Sequence, residues 1–351
     1  MKAGEIWRSV GQAAELSGRS RWLQLAEMAR LRVSANKIKP HEYFAYRLFR
    51  PDLSFAERKR FIGSWTRDGV YSPNNPADAA RADYKLTAYE LFDREGLPHP
   101  RVRAVVNCPS DYPGCARLAA AEETAEFLRN ARYPLFIKPN RSFHGWGAKL
   151  IDRFEDGVLH LRNGTQLTPE ALAAELIGTG EAMLVQDAIT PHPAIAAMTG
   201  GGAATGRVLV LMLDGRPLVH SAVLRIPRGK SMIDNFQGGA SGNMLAEIDV
   251  ATGVCRAAVA GIGFKHAIVD RHPDSGGMIE GLQIPDWREV VDVLERAARL
   301  FPGLMIQGWD IAFGEQGPLL LENNSKSEFR IIQHGTQRGL IDPQFRRAAR
   351  L

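Results

Sequence analysis

Apolar positions along residues 1 to about 80 recur at helical spacing and show little of the two-residue alternation of strands, so this stretch predicts a helical region. Within it, Ser54-Phe55-Ala56-Glu57 has the hydroxyl and carboxylate spacing of a capping box, a helix start. Tyr71-Ser72-Pro73-Asn74-Asn75-Pro76 breaks the pattern and predicts a boundary. Helical spacing returns from Asp83 through Lys85, Leu86, Tyr89 and Phe92, and Gly96 with Pro98 predicts the stop.

Beyond this point strand-length apolar runs mix with helices. Tyr133 to Lys138 reads as a buried strand entering a loop, Pro139 to Gly147, with Gly145 and Gly147 on either side of Trp146. Thr168-Pro169-Glu170 predicts a helix start, with a capping residue followed by proline in the first turn. Met183 to Ile189 predicts a strand, and Arg207 to Leu213 with Pro217 to Ile226 predicts a hairpin turning at Asp214-Gly215. A helix from Asp286 to about Leu300 leads into a last hairpin, Gln307 to Phe313 and Pro318 to Asn324. The final residues are basic and weakly patterned, which predicts a tail.

The two hairpins carry polar residues whose meaning depends on register. Side chains alternate along a strand, so Glu322 and Asn324 share one face and Leu321 and Asn323 the other. Three oxygen donors, a hard-metal set, result if Asp310 lies opposite Glu322. A three-residue loop, Glu315-Gln316-Gly317, gives that pairing; a two- or four-residue loop pairs Asp310 with Leu321 instead. Arg207 and Arg225 pose the same question: a two-residue turn at Asp214-Gly215 faces them oppositely, a three-residue turn puts them together. The sequence leaves both registers open.

Composition narrows the class. With 351 residues, 45% hydrophobic and 24% charged, the chain has the makeup of a globular protein with room for two or three compact units. Lysine and arginine number 44 against 39 acids, a small excess that suits an anionic ligand such as a nucleotide and is weak support for nucleic acid or lipid. Three cysteines in no CxxC pattern argue against a disulfide framework and fit a reducing, cytoplasmic compartment. No apolar run is long enough to span a bilayer, and the amino terminus shows no apolar core of signal-peptide length.

Lys138 ends a buried strand before a glycine-bearing loop, where an ammonium and backbone amides can hold phosphate oxygens. Lys85, on a helix, reads from the sequence alone as a solvated charge. Gly145-Trp146-Gly147 and Gly261-Ile262-Gly263 lack the third glycine of a dinucleotide fingerprint, and Gly229-Lys230-Ser231 has Leu224 where a P-loop needs glycine. His266, His272 and Cys255 match no zinc spacing, whereas His192, just past a strand end, is the better ligand contact.

Taken in order, the helix lysine, strand lysine, glycine loop, hinge strand, arginine, aspartate and Glu-x-Asn resemble the ATP-grasp superfamily. Asp83-Tyr84-Lys85-Leu86 and Phe136-Ile137-Lys138-Pro139 look like the two phosphate-binding lysine segments of D-alanine:D-alanine ligase and its relatives. Asp310 and Glu322-Asn323-Asn324 look like the magnesium ligands. Within the superfamily the chain is most similar to the sugar-transfer-associated, glutamate-ligase-related family, from about Lys39 to Asn324, through His41 to Phe44, Gln186 with His192-Pro193, Asp234-Asn235, His272 to Gly276 and Gly308 to Ala312. Two departures stand out. Ala204-Thr205-Gly206-Arg207 replaces the family's Asn-Thr-apolar-Arg run, and the hinge reads Gln186-Asp187 where related ligases often have paired glutamates.

The resemblance implies an α+β ATP-grasp fold, two α+β lobes clamping ATP, beside an N-terminal helical region. The expected divisions are residues 1–80 helical, 81–189 and 190–335 as the lobes, and 336–351 as the basic tail. It further implies Lys85, Lys138, Gly145, Trp146, Gly147, Gln186, Asp187, Ile189 and His192 as nucleotide contacts, with Asp187 and Ile189 acting through backbone groups. Asp310, Glu322 and Asn324 become Mg2+ ligands, and Arg207 and Arg225 catalytic. The implied activity is an ADP-forming carboxylate-amine, or carboxylate-nucleophile, ligase working through an acyl phosphate in polysaccharide or sugar-conjugate synthesis. A kinase acting on a hydroxyl and a non-catalytic ATP-binding scaffold are the alternatives. Expected partners are a small-molecule carboxylate and an amine or other nucleophile, with no nucleic acid and no membrane span; a homodimer stays open.

Overall fold

A computed structural model describes residues 1–141, 147–229 and 236–351. Gly145, Trp146, Asp234 and Asn235 therefore lie outside the described residues. Seven helices come first: α1 (Ala3–Ser17), α2 (Arg21–Val33), α3 (Pro40–Ala45), α4 (Phe55–Arg58), α5 (Arg67–Val70), α6 (Pro76–Asp83) and α7 (Lys85–Arg94). The capping box forms as its spacing requires: Ser54 Oγ accepts from the Glu57 amide at 3.2 Å, and Glu57 Oε2 accepts from the Ser54 amide at 2.7 Å. The helix it starts, α4, is a single turn.

The next stretch holds β1 (Val102–Val106), β2 (Ala116–Leu118), α8 (Ala121–Asn130), β3 (Leu135–Pro139), β4 (Lys149–Glu155), β5 (Val158–Leu161), β6 (Gln166–Leu167), α9 (Pro169–Gly178) and β7 (Met183–Asp187). The strands make one sheet in the order β2-β1-β7-β3-β4-β5-β6, with β1 and β2 parallel and the other pairs antiparallel. Lys138 thus sits on a central strand, hydrogen-bonded on both sides.

After α10 (Pro193–Thr199) come β8 (Thr205–Leu213), β9 (Arg216–Ile226), β10 (Met244–Ile248), β11 (Cys255–Ala260), β12 (Ala267–Val269), α11 (Trp287–Ala298), β13 (Ile306–Gly314), β14 (Gly317–Asn324), α12 (Phe329–Thr336) and α13 (Pro343–Ala349). These strands form a second, antiparallel sheet, β12-β11-β10-β9-β8-β13-β14. On one face Val208, Val210, Leu224 and Ala246 pack with Val290, Val293 and Leu294 of α11, and on the other Leu209, Leu211, Val223 and Leu245 pack with Phe329, Ile332 and Phe345 of α12 and α13. Both faces are covered, so β8 reads as a continuous apolar run instead of alternating.

Residues 336–351, expected to be a basic tail, carry α13. Asp342 caps it by accepting from the Phe345 amide at 2.8 Å, and Phe345, Ala348 and Ala349 are buried while Arg346 and Arg347 face outward. Only three apolar positions anchor this helix, too short a pattern to stand out among so many arginines.

Both hairpins turn through two residues, and both contain a bulge. Gly314 pairs with Gly317 across Glu315-Gln316, and Ile311 pairs with Leu320, yet Asp310 pairs with Glu322 because Leu321 is extruded from the ladder. Likewise Leu213 pairs with Arg216 and Val210 with Val219, but Leu209 pairs with Ser221 because His220 is extruded. One extra residue reverses the parity of a strand. Asp310 and Glu322 therefore share a face after all, as do Arg207 and Arg225, without three-residue turns.

Candidate functional site

On the face that α12 covers, Arg207 and Arg225 converge on Asp310. Arg207 donates from Nε to Asp310 Oδ1 and from Nη2 to Oδ2 (3.1 Å), and Arg225 Nη2 lies 3.2 Å from the same Oδ2. All three residues are buried. Arg207 reaches further, from Nη1 to Ser327 Oγ at 3.1 Å, and Arg225 donates from Nε to Thr205 Oγ1 at 2.9 Å. Burial raises the Asp310 carboxyl, helped by the negative charge of Glu322 and opposed by the two guanidiniums.

Lys85 departs from its reading as a solvated charge. It is buried as the first residue of α7, and its Nζ lies 3.2 Å from Glu322 Oε2. A lysine at a helix N-terminus opposes the helix dipole, so its ammonium needs an anion beside it. Asn140, at the end of β3, supports this terminus: its carbonyl accepts from the Lys85 amide at 3.2 Å and its Oδ1 from the Leu86 amide at 3.0 Å. The residue that follows Lys138 by two thus seats the helix that presents Lys85.

Lys138 Nζ donates to Tyr89 Oη at 3.0 Å. Burial pulls its pKa down to about 8, against the attraction of Glu322 and Asp310. Burial also works against the charge on Glu322, but Lys85, Lys138 and Arg207 outweigh it and hold that carboxyl well below the usual range. Asn324 Nδ2 donates to Glu322 Oε1 at 3.2 Å. Asn323 faces the other way and donates to Gln307 Oε1, as strand alternation requires.

The remaining predicted contacts are more scattered. Gln186 is buried in β7 and donates to the Pro100 carbonyl at 3.2 Å. The Asp187 amide donates to the Arg101 carbonyl at 3.0 Å, so this backbone group is already engaged. Ile189 follows β7 and is half-buried. His192 Nδ1 accepts from the Ala194 amide at 3.1 Å and so caps α10. Gly147 has φ +78° and packs over Pro139, a conformation that favours glycine.

Sequence reasoning missed Tyr89, Asn140, Ser327, Asp83 and Arg141. Tyr89 is apolar-spaced on α7 and looked like core, which it also is. Asp83 and Arg141 line a small recess with Lys85, Glu322 and Asn324, and Asp83 Oδ2 accepts from Ser325 Oγ at 3.1 Å. A larger cavity, about 270 Å³, lies apart from these residues, between Leu53, Arg60, His220, Arg338 and Asp342. There His220, the extruded residue, accepts from Ser221 Oγ at 2.8 Å and bonds Asp342 at 3.0 Å, contacts that fasten the bulge to the cap of α13. The charge cluster, where buried groups of both signs converge, is the better site.

The donor set suits a hard cation through Glu322 and Asn324, since magnesium takes one or two protein oxygens and completes its shell with water and phosphate. No group of three His, Cys, Asp or Glu side chains forms a metal cage among the described residues, and Asp310 is engaged by two arginines.

Among solved structures, the chain is similar to the ATP-grasp ligase PsnB complexed with minimal precursor, at 21% identity, TM-score 0.37, covering 74% of this chain and 57% of that one. It is also similar to D-alanyl-alanine synthetase A from Vibrio cholerae, at 14% identity, TM-score 0.41, covering 75% and 61%. A biotin carboxylase complex from Campylobacter jejuni matches at 11% identity, TM-score 0.46, covering 85% and 53%. The chain thus spans little more than half the length of these structures. No curated protein matches it. The sequence model of one family, the sugar-transfer associated ATP-grasp, matches residues 70–346, and the chain belongs to that family.

Proposed function

We propose that the protein is an ATP- and magnesium-dependent ligase that activates a carboxylate as an acyl phosphate and passes it to an amine or related nucleophile. The observation that carries this reading is the convergence of Lys85, Lys138, Arg207 and Arg225 on Asp310 and Glu322. Among the described residues four cations gather around two carboxylates, and guanidinium and ammonium groups so clustered suit polyphosphate oxygens. Membership of the ATP-grasp family supports the same ligand.

In this reading residues 81–189 bring the lysines and the glycine loop, residues 190–335 bring the arginines and oxygen donors, and ATP lies between them. Lys85 and Lys138 hold phosphate oxygens, and the Asp187 carbonyl and the backbone of Ile189 meet the base. Glu322 and Asn324, with Asp310 once its arginines turn away, would hold magnesium, which when bound offsets phosphate charge. Arg207 and Arg225 stabilise charge on the transferred phosphoryl group or orient the substrate carboxylate. The residues contribute mainly position and electrostatics.

The test is Glu322→Ala against the parent protein, with ATP, magnesium and panels of carboxylates and amines. The variant should keep its circular dichroism and lose magnesium-dependent turnover, and the parent should release ADP and inorganic phosphate in equal amounts. ADP without free phosphate would instead identify a kinase, and ATP binding without turnover a scaffold.

A further inference from the structure

The outer face of α2 lacks the polar cover expected of a surface helix. Gln24, Glu27, Met28 and Leu31 point inward, and the opposite stripe is Trp22, Ala26, Ala29 and Val33, spaced at i, i+4, i+7 and i+11 and all exposed. Trp22 is 72% and Val33 85% exposed. Trp7 of α1, 46% exposed, extends the stripe by meeting Trp22 edge-on with ring centroids 5.8 Å apart. Near the Val33 end, Trp65 is 56% exposed beneath Arg32 (3.7 Å to the ring centroid) and Lys39 (4.7 Å). Arg21 lies 5.6 Å from the Trp7 ring. The exposed tryptophans among the described residues are these three, each within the first 65 positions.

Charge is concentrated on the same region. Residues 1–39 hold eight lysines and arginines against three acids, and the rest of the chain holds 36 of each. The net charge of +5 is therefore the net charge of residues 1–39. Of the eight, Arg19 is tied to Glu27 on the inner side, while Arg8, Arg21, Arg30 and Lys37 are exposed.

We infer that this face docks peripherally on an anionic lipid surface. Tryptophan with a stacked cation matches the headgroup boundary, where the ring is half-immersed and the cation meets phosphate. The alternative of a second copy on the same face sets like charge against like charge. Among the described residues no helix is long and apolar enough to cross a membrane. This inference is independent of the ATP chemistry.

The experiment is co-sedimentation of the full chain with vesicles of phosphatidylcholine alone or mixed with phosphatidylglycerol, with tryptophan emission read in parallel. Binding should be roughly tenfold or more stronger to the anionic vesicles, weaken with salt and be accompanied by a blue shift. Trp22→Ser with Val33→Ser should remove most of the binding, and Arg21→Glu with Arg32→Glu should remove its preference for phosphatidylglycerol, with circular dichroism unchanged in both. Equal binding to both vesicle types, binding that survives Trp22→Ser with Val33→Ser, or no binding would overturn the inference. So would a concentration-dependent dimer that Trp22→Ser abolishes, which would assign the face to a second copy.

Discussion

Tyr89 Oη donates to the carbonyl of Leu321 at 2.9 Å, and Leu321 is the residue that β14 extrudes to bring Glu322 opposite Asp310. The same hydroxyl accepts from Lys138 at 3.0 Å. One core tyrosine thus links a lysine of the first sheet to the bulge that sets the register of the second. Tyr89→Phe keeps the ring and removes both bonds. We expect a stability loss of about 1–2 kcal/mol in urea unfolding, and a KM for ATP that rises severalfold with a smaller change in kcat. An unchanged KM would show that Lys138 needs no such support.

Asp310 holds two guanidiniums in a buried setting, so its removal should cost more than the removal of either partner. Asp310→Ala leaves Arg207 and Arg225 facing each other and is expected to destabilise by roughly 3–5 kcal/mol. Arg207→Ala leaves Arg225 still paired with Asp310 and should cost less. The double variant Arg207→Leu with Asp310→Leu should be more stable than the sum of the single leucine changes by about 1–3 kcal/mol, as a double-mutant cycle in urea would measure.

These contacts also mark how far the sequence could be read. Strand alternation placed Glu322 and Asn324 on one face and Asn323 on the other, and that is where they lie. The register stays open in the sequence, because neither hairpin fixes the length of its turn or shows its bulge. Asp214 (φ +52°) and Gly215 (φ +76°) form the two-residue turn their types suggest, and taken alone that turn puts Arg207 and Arg225 on opposite faces. Nothing about His220 or Leu321 announces extrusion; it is selected by tertiary contacts, His220 to Asp342 and Leu321 to Tyr89. The pattern alone reads Lys85 as a solvated charge for a similar reason: the carboxylate that compensates its buried ammonium, Glu322, lies more than two hundred positions away.

His334 is buried between Tyr46 and Phe236, at ring-centroid distances of 5.0 and 6.0 Å, and burial, with the charge of Arg330, lowers its pKa from 6.5 to about 3. The unfolded chain binds this proton near pH 6.5 and the folded chain only near pH 3, so between these values the unfolded state carries more protons. Stability therefore falls as pH drops through that window, and above it the group has no effect. His334→Phe should fit the aromatic site and flatten the dependence, narrowing the loss between neutral pH and pH ~4 by on the order of 2–3 kcal/mol in urea titrations. An identical pH dependence in the variant would assign the acid sensitivity to carboxylates or to His266 instead.

Gly308 has no positive φ to explain it, yet the position tolerates no side chain. It lies opposite Asn324 in the ladder, and an added Cβ would fall inside contact distance of Ser327 Cβ and Oγ. Ser327 Oγ is the third acceptor for Arg207, after the two oxygens of Asp310. Gly308→Ala must therefore push Ser327 away, loosen Arg207 and shift the strand that carries Asn324. We expect a stability loss of about 1–3 kcal/mol and a clear drop in ATP turnover. Adding Ser327→Gly removes both clashing atoms, so the pair Gly308→Ala with Ser327→Gly should regain most of the stability while turnover stays low, because the Arg207 bond to Ser327 is not restored. Recovery of turnover together with stability would show that Ser327 only fills space beside Gly308 and does not position Arg207.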